Sequence, residues 1–448
     1  MNRFSLVLFF FLLASATAFQ SCSNDATDSN VETANEVSFA DETTQKIYNL
    51  ADKGKVKELL PYLHHAETAY RLLAVQGIAN AQDSLPATVD SLIKVLRTDK
   101  SAQVREAAAF AIGLTHQAKA DSLLPVSFKT EKSKKVQAAI LEAVGRTGSE
   151  KSLGFIAAVK TYQPSDSLLL VAQARSIFRF FERKIILPTA TQTMLNFILT
   201  PKSPRQARVA AAYYFGRAKQ LSLLASEDTL SKILPTEPDA AVRMFMTPAL
   251  AHTQGKKAFA TMLSMLNSEK DPRVKLRIVN SLYPNFGVKL LGDTLINVLK
   301  DANTAVATSA AEQIKLFGLP KHIPVLLEKA KAETRWPVAI ATYSAALGLT
   351  TLKFKPTLDE ISKTLQDRFL ASKDEYEKAA ILDALTGYCM NWSFIKNNAL
   401  KSDASPLLKT KGIEAIAKIR KAKTYRYTFP KNLRSVTFSI DSLMKDAI

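Results

Sequence analysis

The feature that most constrains this chain is internal repetition, because similar segments recur from about Glu42 onward at spacings of 32 to 39 residues. The clearest copy runs Val104-Arg105-Glu-Ala-Ala-Ala-Phe-Ala-Ile-Gly113. In five copies, eight residues separate a polar anchor residue from a small residue. These pairs are Arg71 with Ala79, Arg105 with Gly113, Gln137 with Gly145, Arg208 with Gly216, and Arg243 with Ala251. Such self-similarity predicts a stack of like supersecondary units rather than unrelated globular domains.

Each repeat carries the pattern of two helices. The residues three, four and seven positions after an anchor are mostly apolar or small, as in Ala108, Ala109 and Ile112, which places them on one helical face. A second helical segment lies between consecutive copies. One such segment is predicted to open at Asp121, with Asp or Ser as the cap and Pro125 in the first turn. Each repeat is therefore a helical hairpin, and neighbouring hairpins must stack to cover their apolar faces.

This pattern resembles the HEAT-repeat family, most closely its short subtype with an Asp before a Val-Arg pair and a small-residue helix that ends in Gly. The resemblance covers roughly residues 45–420 and predicts an all-α, HEAT-like α-solenoid of about 11 helical hairpins. It implies a curved array with a concave protein-binding surface. In that family the Arg of the pair commonly bonds to a neighbouring turn, so the resemblance implies structural repeat anchors, with ligand contact as the alternative. The anchors with an Arg side chain are Arg71, Arg105, Arg208 and Arg243.

The N-terminus has the layout of a secretory signal. Arg3 precedes an apolar run over residues 4–13 that is too short to span a bilayer. Two processing alternatives stay open. An A-x-A site ending at Ala18 predicts cleavage before Phe19, whereas Phe19-Gln-Ser-Cys22 resembles a bacterial lipobox that would make Cys22 the site of lipid attachment.

The segment from Ser23 to Ser38 favours the lipobox interpretation. It is rich in Ser, Asn, Asp, Thr and Glu and almost free of large apolar residues, which is typical of a flexible tether between a membrane and a folded domain. Ser23 after the cysteine resembles outer-membrane sorting. We therefore predict an exported outer-membrane lipoprotein that faces the periplasm, with a soluble periplasmic protein as the alternative.

The predicted domain organisation has four parts. They are a signal peptide over residues 1–21, a polar tether over 22–41, the HEAT-repeat solenoid over 42–420 and a C-terminal cap or tail over 421–448. The last part alternates with period two around Tyr425 to Pro430 and Ser435 to Ile440, which indicates short strands or an extended tail that covers the final repeat.

The sequence contains no pattern that names a reaction. None of the five histidines pairs with another at the i, i+4 spacing of a metal site, and no phosphate loop, G-x-S-x-G elbow or H-E-x-x-H appears. Cys389 stands in an apolar helical context that favours a buried thiol. We predict no enzyme activity, no cofactor and no metal.

The charge pattern points to a protein partner. The formal net charge is +19, but Lys and Arg are spread along the chain, without the basic stripe and interleaved aromatics of a nucleic-acid site. This diffuse positive charge is better suited to attraction to anionic lipid headgroups than to nucleic-acid binding. We predict a protein or peptide partner, membrane contact through an N-terminal lipid, and no nucleic acid.

Three functional hypotheses remain at this stage. The first is a non-catalytic binding scaffold in the bacterial envelope. The second follows from residues 39–63, which look like envelope proteins in which a HEAT array precedes a cyclophilin-type prolyl isomerase domain; this chain would be an array-only relative or a shortened form, since too few residues follow the array for a cyclophilin core. The third, an enzyme of the phycobilin-lyase type, rests on the repeat alone, which many non-enzymes share.

Overall fold

The computed structural model describes residues 38–81, 85–159, 166–200, 202–218, 221, 223–282, 288–350, 355–421, 424–428 and 435–439. It divides into two compact units, residues 1–190 and 191–448. Its described part is an all-α, HEAT-like array followed by two short strands, which confirms the predicted fold class. The predicted signal peptide, the candidate lipid site Cys22 and most of the tether lie outside the described residues.

In each hairpin the second helix carries the anchor residue, and we call it the anchor helix; the first helix of the hairpin is the partner helix. The anchor residues therefore fall in odd-numbered helices. Helices α1 to α12 are Glu42–Asp52, Val56–Leu59, Thr68–Ala81, Pro86–Thr98, Ala102–Thr115, Lys119–Thr130, Lys134–Thr147, Glu150–Ala158, Ser167–Glu182, Pro188–Leu199, Arg205–Arg217 and Glu227–Ile233. Helices α13 to α23 are Ala240–His252, Lys256–Ser268, Pro272–Ser281, Val288–Val298, Thr304–Phe317, Ile323–Ala332, Trp336–Leu349, Lys355–Ala371, Glu375–Leu385, Trp392–Ala399 and Pro406–Lys421.

Eleven hairpins, α2/α3 through α22/α23, follow α1 in the part of the chain that the structure describes. Within the first unit, α1, α3, α5, α7 and α9 stack in order, each on the next. The same order holds from α11 to α23 in the second unit. Val104, Ala108 and Ile112 of α5 have no exposed surface, so the predicted apolar stripe forms the core. Each such side chain contributes because it removes apolar surface from water.

Small residues let the anchor helices approach closely. A Cβ atom added to Gly113 of α5 would lie 2.9 Å from Cα of Ala143 in α7. One added to Gly145 of α7 would lie 2.7 Å from Cα of Ser176 in α9. Both glycines stand eight residues after an anchor, so the recurring small residue is explained by backbone packing between repeats.

Local capping explains where several anchor helices begin. The carboxylate of Asp239 accepts hydrogen bonds from the backbone N–H groups of Ala241 (2.9 Å) and Val242 (3.1 Å) at the start of α13. Asn303 caps α17 in the same way, through Val306 N–H at 3.2 Å. These side chains satisfy amides that have no partner within the first helical turn.

The predicted helix start at Asp121 is wrong. Helix α6 begins earlier, so Pro125 lies in its interior and cannot donate a hydrogen bond to the carbonyl of Asp121. The hydroxyl of Ser152, in α8, donates to that carbonyl at 3.2 Å. A contact from the next repeat therefore satisfies the group that the proline leaves open.

The C-terminal region contains strands, one of the two alternatives that the sequence left open. Strands β1 (Thr424–Thr428) and β2 (Ser435–Ser439) pair antiparallel, with Thr424 opposite Ser439 and Thr428 opposite Ser435. Among the described helices, none is both long enough and apolar enough to cross a membrane.

Candidate functional site

The predicted anchor residues lie between repeats and bind the turn that precedes the next anchor helix. Nε and Nη2 of Arg71 donate to the carboxylate of Asp99 at 2.8 and 3.1 Å. Its Nη1 donates to the carbonyl oxygens of His65 (3.0 Å) and Ala66 (2.8 Å). One guanidinium thus holds the turn of its own repeat through the main chain and the turn of the following repeat through a side chain.

Arg105 repeats this arrangement one repeat further along. Its Nε and Nη2 donate to Glu131 at 2.8 and 2.9 Å, and its Nη1 donates to the carbonyl oxygens of Asp99 (2.9 Å) and Lys100 (3.1 Å). Asp99 is therefore bound from both sides, by Arg71 through its carboxylate and by Arg105 through its carbonyl. The bidentate match of guanidinium to carboxylate fixes the distance between consecutive turns.

The second unit has its own rungs of this ladder. Arg208 pairs with the buried Glu237, and Arg243 binds Glu269 at 2.7 and 2.8 Å and the carbonyl of Glu237 at 2.9 Å. Lys275 takes the anchor position of the next repeat and reaches Asp301 at 2.7 Å. We call these contacts the arginine ladder; its rungs are Arg71–Asp99, Arg105–Glu131, Arg208–Glu237, Arg243–Glu269 and Lys275–Asp301.

One repeat has no basic anchor, and an arginine from the next repeat binds its turn instead. In α17 the anchor position holds Ala307, and Nη1 of Arg335, which precedes α19, donates to the carbonyl oxygens of Asp301 (2.8 Å) and Ala302 (3.0 Å). Nε and Nη2 of Arg335 donate to Glu333 at 2.9 and 2.8 Å. The guanidinium thus binds the turn that a basic anchor at 307 would bind, although its side chain comes from the other direction.

A solvent-facing surface remains on the anchor helices of the first unit after this packing. It contains two positions per helix, four residues apart, which places both on one helical face. We call it the ridge; its residues are Gln76 and Asn80 of α3, Glu106 and Phe110 of α5, Glu142 and Arg146 of α7, and Arg175 and Arg179 of α9. No ridge residue belongs to the arginine ladder.

Side-chain contacts join the parts of the ridge on α5, α7 and α9. The guanidinium of Arg146 lies over the ring of Phe110, with its central carbon 4.8 Å from the ring centroid. The carboxylate of Glu142 accepts from Arg175 Nη1 at 3.2 Å and from Arg179 Nη2 at 3.0 Å. One carboxylate is thus shared by two guanidinium groups.

Charge is crowded at the α7 and α9 end of the ridge. Burial and the nearby positive charge of Arg179 lower the pKa of Arg146 to about 10, although Glu142 opposes the shift. Nη1 of Arg146 is buried without a hydrogen-bond partner among the described residues. Burial also lowers the pKa of Arg183, whose Nη2 donates to the carbonyl of Gly145 at 3.1 Å.

The sequence did not single out most of the ridge. In the segment Phe178-Arg-Phe-Phe181, the structure buries Phe180 completely but leaves Arg179 partly exposed, on the ridge. Spacing from the anchor was the sequence signal that could have identified these residues. Phe110 stands five residues after the anchor of α5, and Glu142 and Arg146 stand five and nine residues after that of α7.

The structure contains little that resembles a catalytic centre in the residues it describes. No group of three or more His, Cys, Asp or Glu side chains there could hold a metal ion. A cavity of about 170 Å³ lies between α18 and α19 of the second unit, lined by Leu299, Lys329 and Thr342 among others. Cys389 is buried as predicted, and burial raises the pKa of its thiol to about 11.

The comparisons with known proteins agree with the repeat architecture. Residues 56–145 match the family model for HEAT repeats. Among solved structures, the chain is similar to importin beta (TM-score 0.57, 12% identity, covering 88% of this chain and 60% of that one). It is also similar to a chain from a structure of Kap95p binding to RanGDP (TM-score 0.57, 14% identity, 85% and 59% covered) and to a Kap121p mutant (TM-score 0.54, 12% identity, 82% and 46% covered).

These structural likenesses show the fold. The chain spans about half to three-fifths of the length of the solved structures it matches. No curated protein matches the sequence.

Proposed function

We propose that this chain is a non-catalytic, protein-binding scaffold of the bacterial cell envelope, anchored by an N-terminal lipid. The observation that carries the binding part is the ridge, a row of polar, charged and aromatic side chains that the packing of the repeats leaves on the surface of α3, α5, α7 and α9. The arginine ladder stands apart from it and would keep successive ridge residues in register. A repeated, rigidly spaced surface is suited to an extended partner.

The proposed structural role of Arg71, Arg105, Arg208 and Arg243 follows from the same separation. Arg71 and Arg208 are buried, and each of the four guanidinium groups is bound to a carboxylate in the turn of the following repeat. Ligand contact would require breaking those bonds, which favours the structural alternative.

The proposed location rests on the sequence. The signal-like segment, Cys22 in its partial lipobox and the polar tether support an outer-membrane lipoprotein that faces the periplasm, with a soluble periplasmic protein as the alternative. Kap95p, which shares the fold, binds RanGDP, and this supports a protein as the partner here.

Site-specific photo-crosslinking in cells tests the scaffold proposal. A photoreactive amino acid at Gln76 or Phe110, both on the ridge, is expected to give the same discrete crosslinked protein from both positions. Val126 on α6 is the matched control, because it is 54% exposed and apolar but lies on a partner helix. Equal crosslinking from all three positions would count against the ridge as the binding surface.

The alternative is an array-only relative or shortened form of a HEAT-repeat prolyl isomerase. It is favoured by the resemblance of residues 39–63 to such arrays. A proline-isomerisation assay on the purified chain separates the two, because measurable turnover would contradict a non-catalytic scaffold.

A further inference from the structure

We propose that the α7 and α9 end of the ridge binds an extended, acidic peptide segment of a partner protein through Arg146, Arg175 and Arg179. This inference rests on the proposed scaffold function and adds the chemistry of the partner. It assigns the ligand as carboxylate side chains on an extended chain.

Positive charge exceeds negative charge within the cluster of Arg146, Arg175, Arg179 and Glu142. The negative charge of Glu142 acts on all three guanidinium groups, but its carboxylate contacts only those of Arg175 and Arg179. The side chain of Arg175 is 48% exposed and that of Arg179 is 25% exposed, so both can reach a ligand. Among the described residues, each of these two side chains donates only to Glu142, so further N–H donors are open to a ligand. A second carboxylate would relieve the repulsion between them.

The side chain of Arg146 is held in place by its neighbours. Its side chain lies against α5, where Cδ would be 3.4 Å from a Cβ atom at Gly113, and its guanidinium is stacked on Phe110. A guanidinium held in this way loses little conformational freedom when it binds a carboxylate, which favours binding. Phe110 itself is 42% exposed and offers an apolar contact beside the charge.

The spacing of the helices defines the form of the peptide. Packed helices lie about 8 to 10 Å apart, and an extended chain in the polyproline II conformation rises about 3.1 Å per residue with about three residues per turn. Side chains three residues apart then share one face, so a peptide that crosses α7 and α9 presents one of them to each helix. Acidic residues at i and i+3 would then face Arg146 and the pair Arg175 and Arg179.

Phosphate-rich ligands fit this surface less well. Glu106 and Glu142 lie on the ridge among the arginines, and they would repel the continuous negative charge of a nucleic acid or an anionic membrane. A peptide with separated carboxylates can place its charges between them.

Fluorescence anisotropy with the full chain tests the proposal. The probe is a labelled 12-residue peptide with Glu at every third position and Ala and Ser between, and its Gln counterpart is the reference. We expect the Glu peptide to bind at least tenfold more tightly than the Gln peptide at low salt. The double variant Arg175→Gln/Arg179→Gln should lose at least tenfold in affinity for the Glu peptide.

The matched control removes the same charge elsewhere. Lys94→Gln/Lys100→Gln changes two exposed lysines on α4 and the turn after it, and should alter affinity less than twofold. Circular dichroism would verify that both double variants fold. Arg146→Lys retains the charge but loses the planar fork, and it should weaken binding several-fold.

Several outcomes would overturn the inference. Equal affinity for the Glu and Gln peptides would do so, as would equal losses in the two double variants. Binding of vesicles with 30% phosphatidylglycerol, or of single-stranded DNA, through the same arginines in place of the peptide would also overturn it. If one of these outcomes occurred but Gln76 and Phe110 still crosslinked to a protein, the acidic-peptide inference would fail and the scaffold proposal would stand. Failure of the inference is therefore distinguishable from failure of the scaffold proposal.

Discussion

At the scale of single residues, the arginine ladder shows how one side chain can join two repeats. Each guanidinium donates to a carboxylate 26 to 29 residues further along, and those of Arg71, Arg105 and Arg243 also donate to main-chain carbonyls of their own turn. The carboxylate in turn accepts from the backbone two residues on, as Glu131 does from Ser133 N–H at 2.8 Å. A lysine can supply the positive charge, as Lys275 does, but its single ammonium group cannot bind the carboxylate in the bidentate way of a guanidinium.

Removing one guanidinium should therefore be costly. We expect Arg105→Ala to lower the free energy of unfolding by about 2 kcal/mol, because Glu131 is left buried without its partner. Removing one partner of a fully buried pair costs about 3 to 5 kcal/mol, and the partial exposure of Arg105 reduces that cost. Urea denaturation followed by circular dichroism measures the change. Arg273→Ala is the control, since Arg273 is 68% exposed and pairs only within its own turn. An unchanged midpoint for Arg105→Ala would refute the structural role.

The ladder should also make stability depend on pH in the acid range. Burial alone would raise the pKa of Glu131, but hydrogen bonds from Arg105 and the backbone outweigh it and lower the pKa below 4.5. Since the unfolded chain then binds the proton more readily, the pair stabilises the fold above about pH 4.5, and this contribution is lost as the pH falls further. The melting temperature should drop between pH 5 and pH 3.

Glu131→Gln supplies the comparison for this pH effect. The variant should be less stable than the native chain at pH 7, and the difference between the two should shrink as the pH falls. Parallel curves for the two proteins would show that Glu131 does not contribute to the acid sensitivity.

At the scale of helices, the repeat depends on small residues where anchor helices touch. Gly145 and Ser176 lie so close that the Ser176 hydroxyl also donates to the carbonyl of Leu141 at 2.6 Å, which joins α9 to α7. Glycine inside a helix ordinarily destabilises it by about 1 kcal/mol relative to alanine. Close packing between repeats offsets that loss here.

Two glycine-to-alanine variants separate these effects. Gly145→Ala should destabilise the protein by about 1 to 3 kcal/mol, because the added methyl group meets the backbone of α9. Gly154→Ala in α8 should stabilise it by up to about 1 kcal/mol, since the nearest atom there is 3.9 Å away. Thermal unfolding of both variants checks the pair, and a stabilising Gly145→Ala would contradict the close contact.

At the scale of the whole molecule, the repeats continue through both units, and small variations between copies distinguish their surfaces. The first unit carries the arginine cluster on its ridge. At the equivalent place in the second unit, the ring centroid of Tyr213 in α11 lies 4.9 Å from that of Phe245 in α13. The guanidinium of Arg217 lies over the Tyr213 ring. The framework is thus repeated while the solvent-facing positions differ, which is how one array can present distinct surfaces.

The proposed membrane anchor also belongs to this scale. In a bacterial host, the native chain should incorporate a labelled fatty acid and sediment with membranes, and Cys22→Ser should do neither. Mass spectrometry of the mature N-terminus provides the second readout. A terminus at Phe19 without lipid would instead support the soluble periplasmic alternative.

The sequence by itself determined the repeat period, the hairpin architecture, the apolar face of each anchor helix and the positions of the anchors, because these are local periodicities. Only the tertiary structure decided which groups meet. Three contacts join residues from different elements. Glu131 binds Arg105, Arg335 binds the turn that a basic anchor at 307 would bind, and Ser152 donates to the carbonyl that Pro125 leaves open in α6.

The same reason explains why the ridge was missed. Phe110, Glu142 and Arg146 look like ordinary members of their helices, and their place on one surface depends on how α5, α7 and α9 stack. Periodicity records which face of a helix is buried, whereas stacking decides which exposed residues become neighbours. A binding surface of this kind is therefore a property of the assembled repeats.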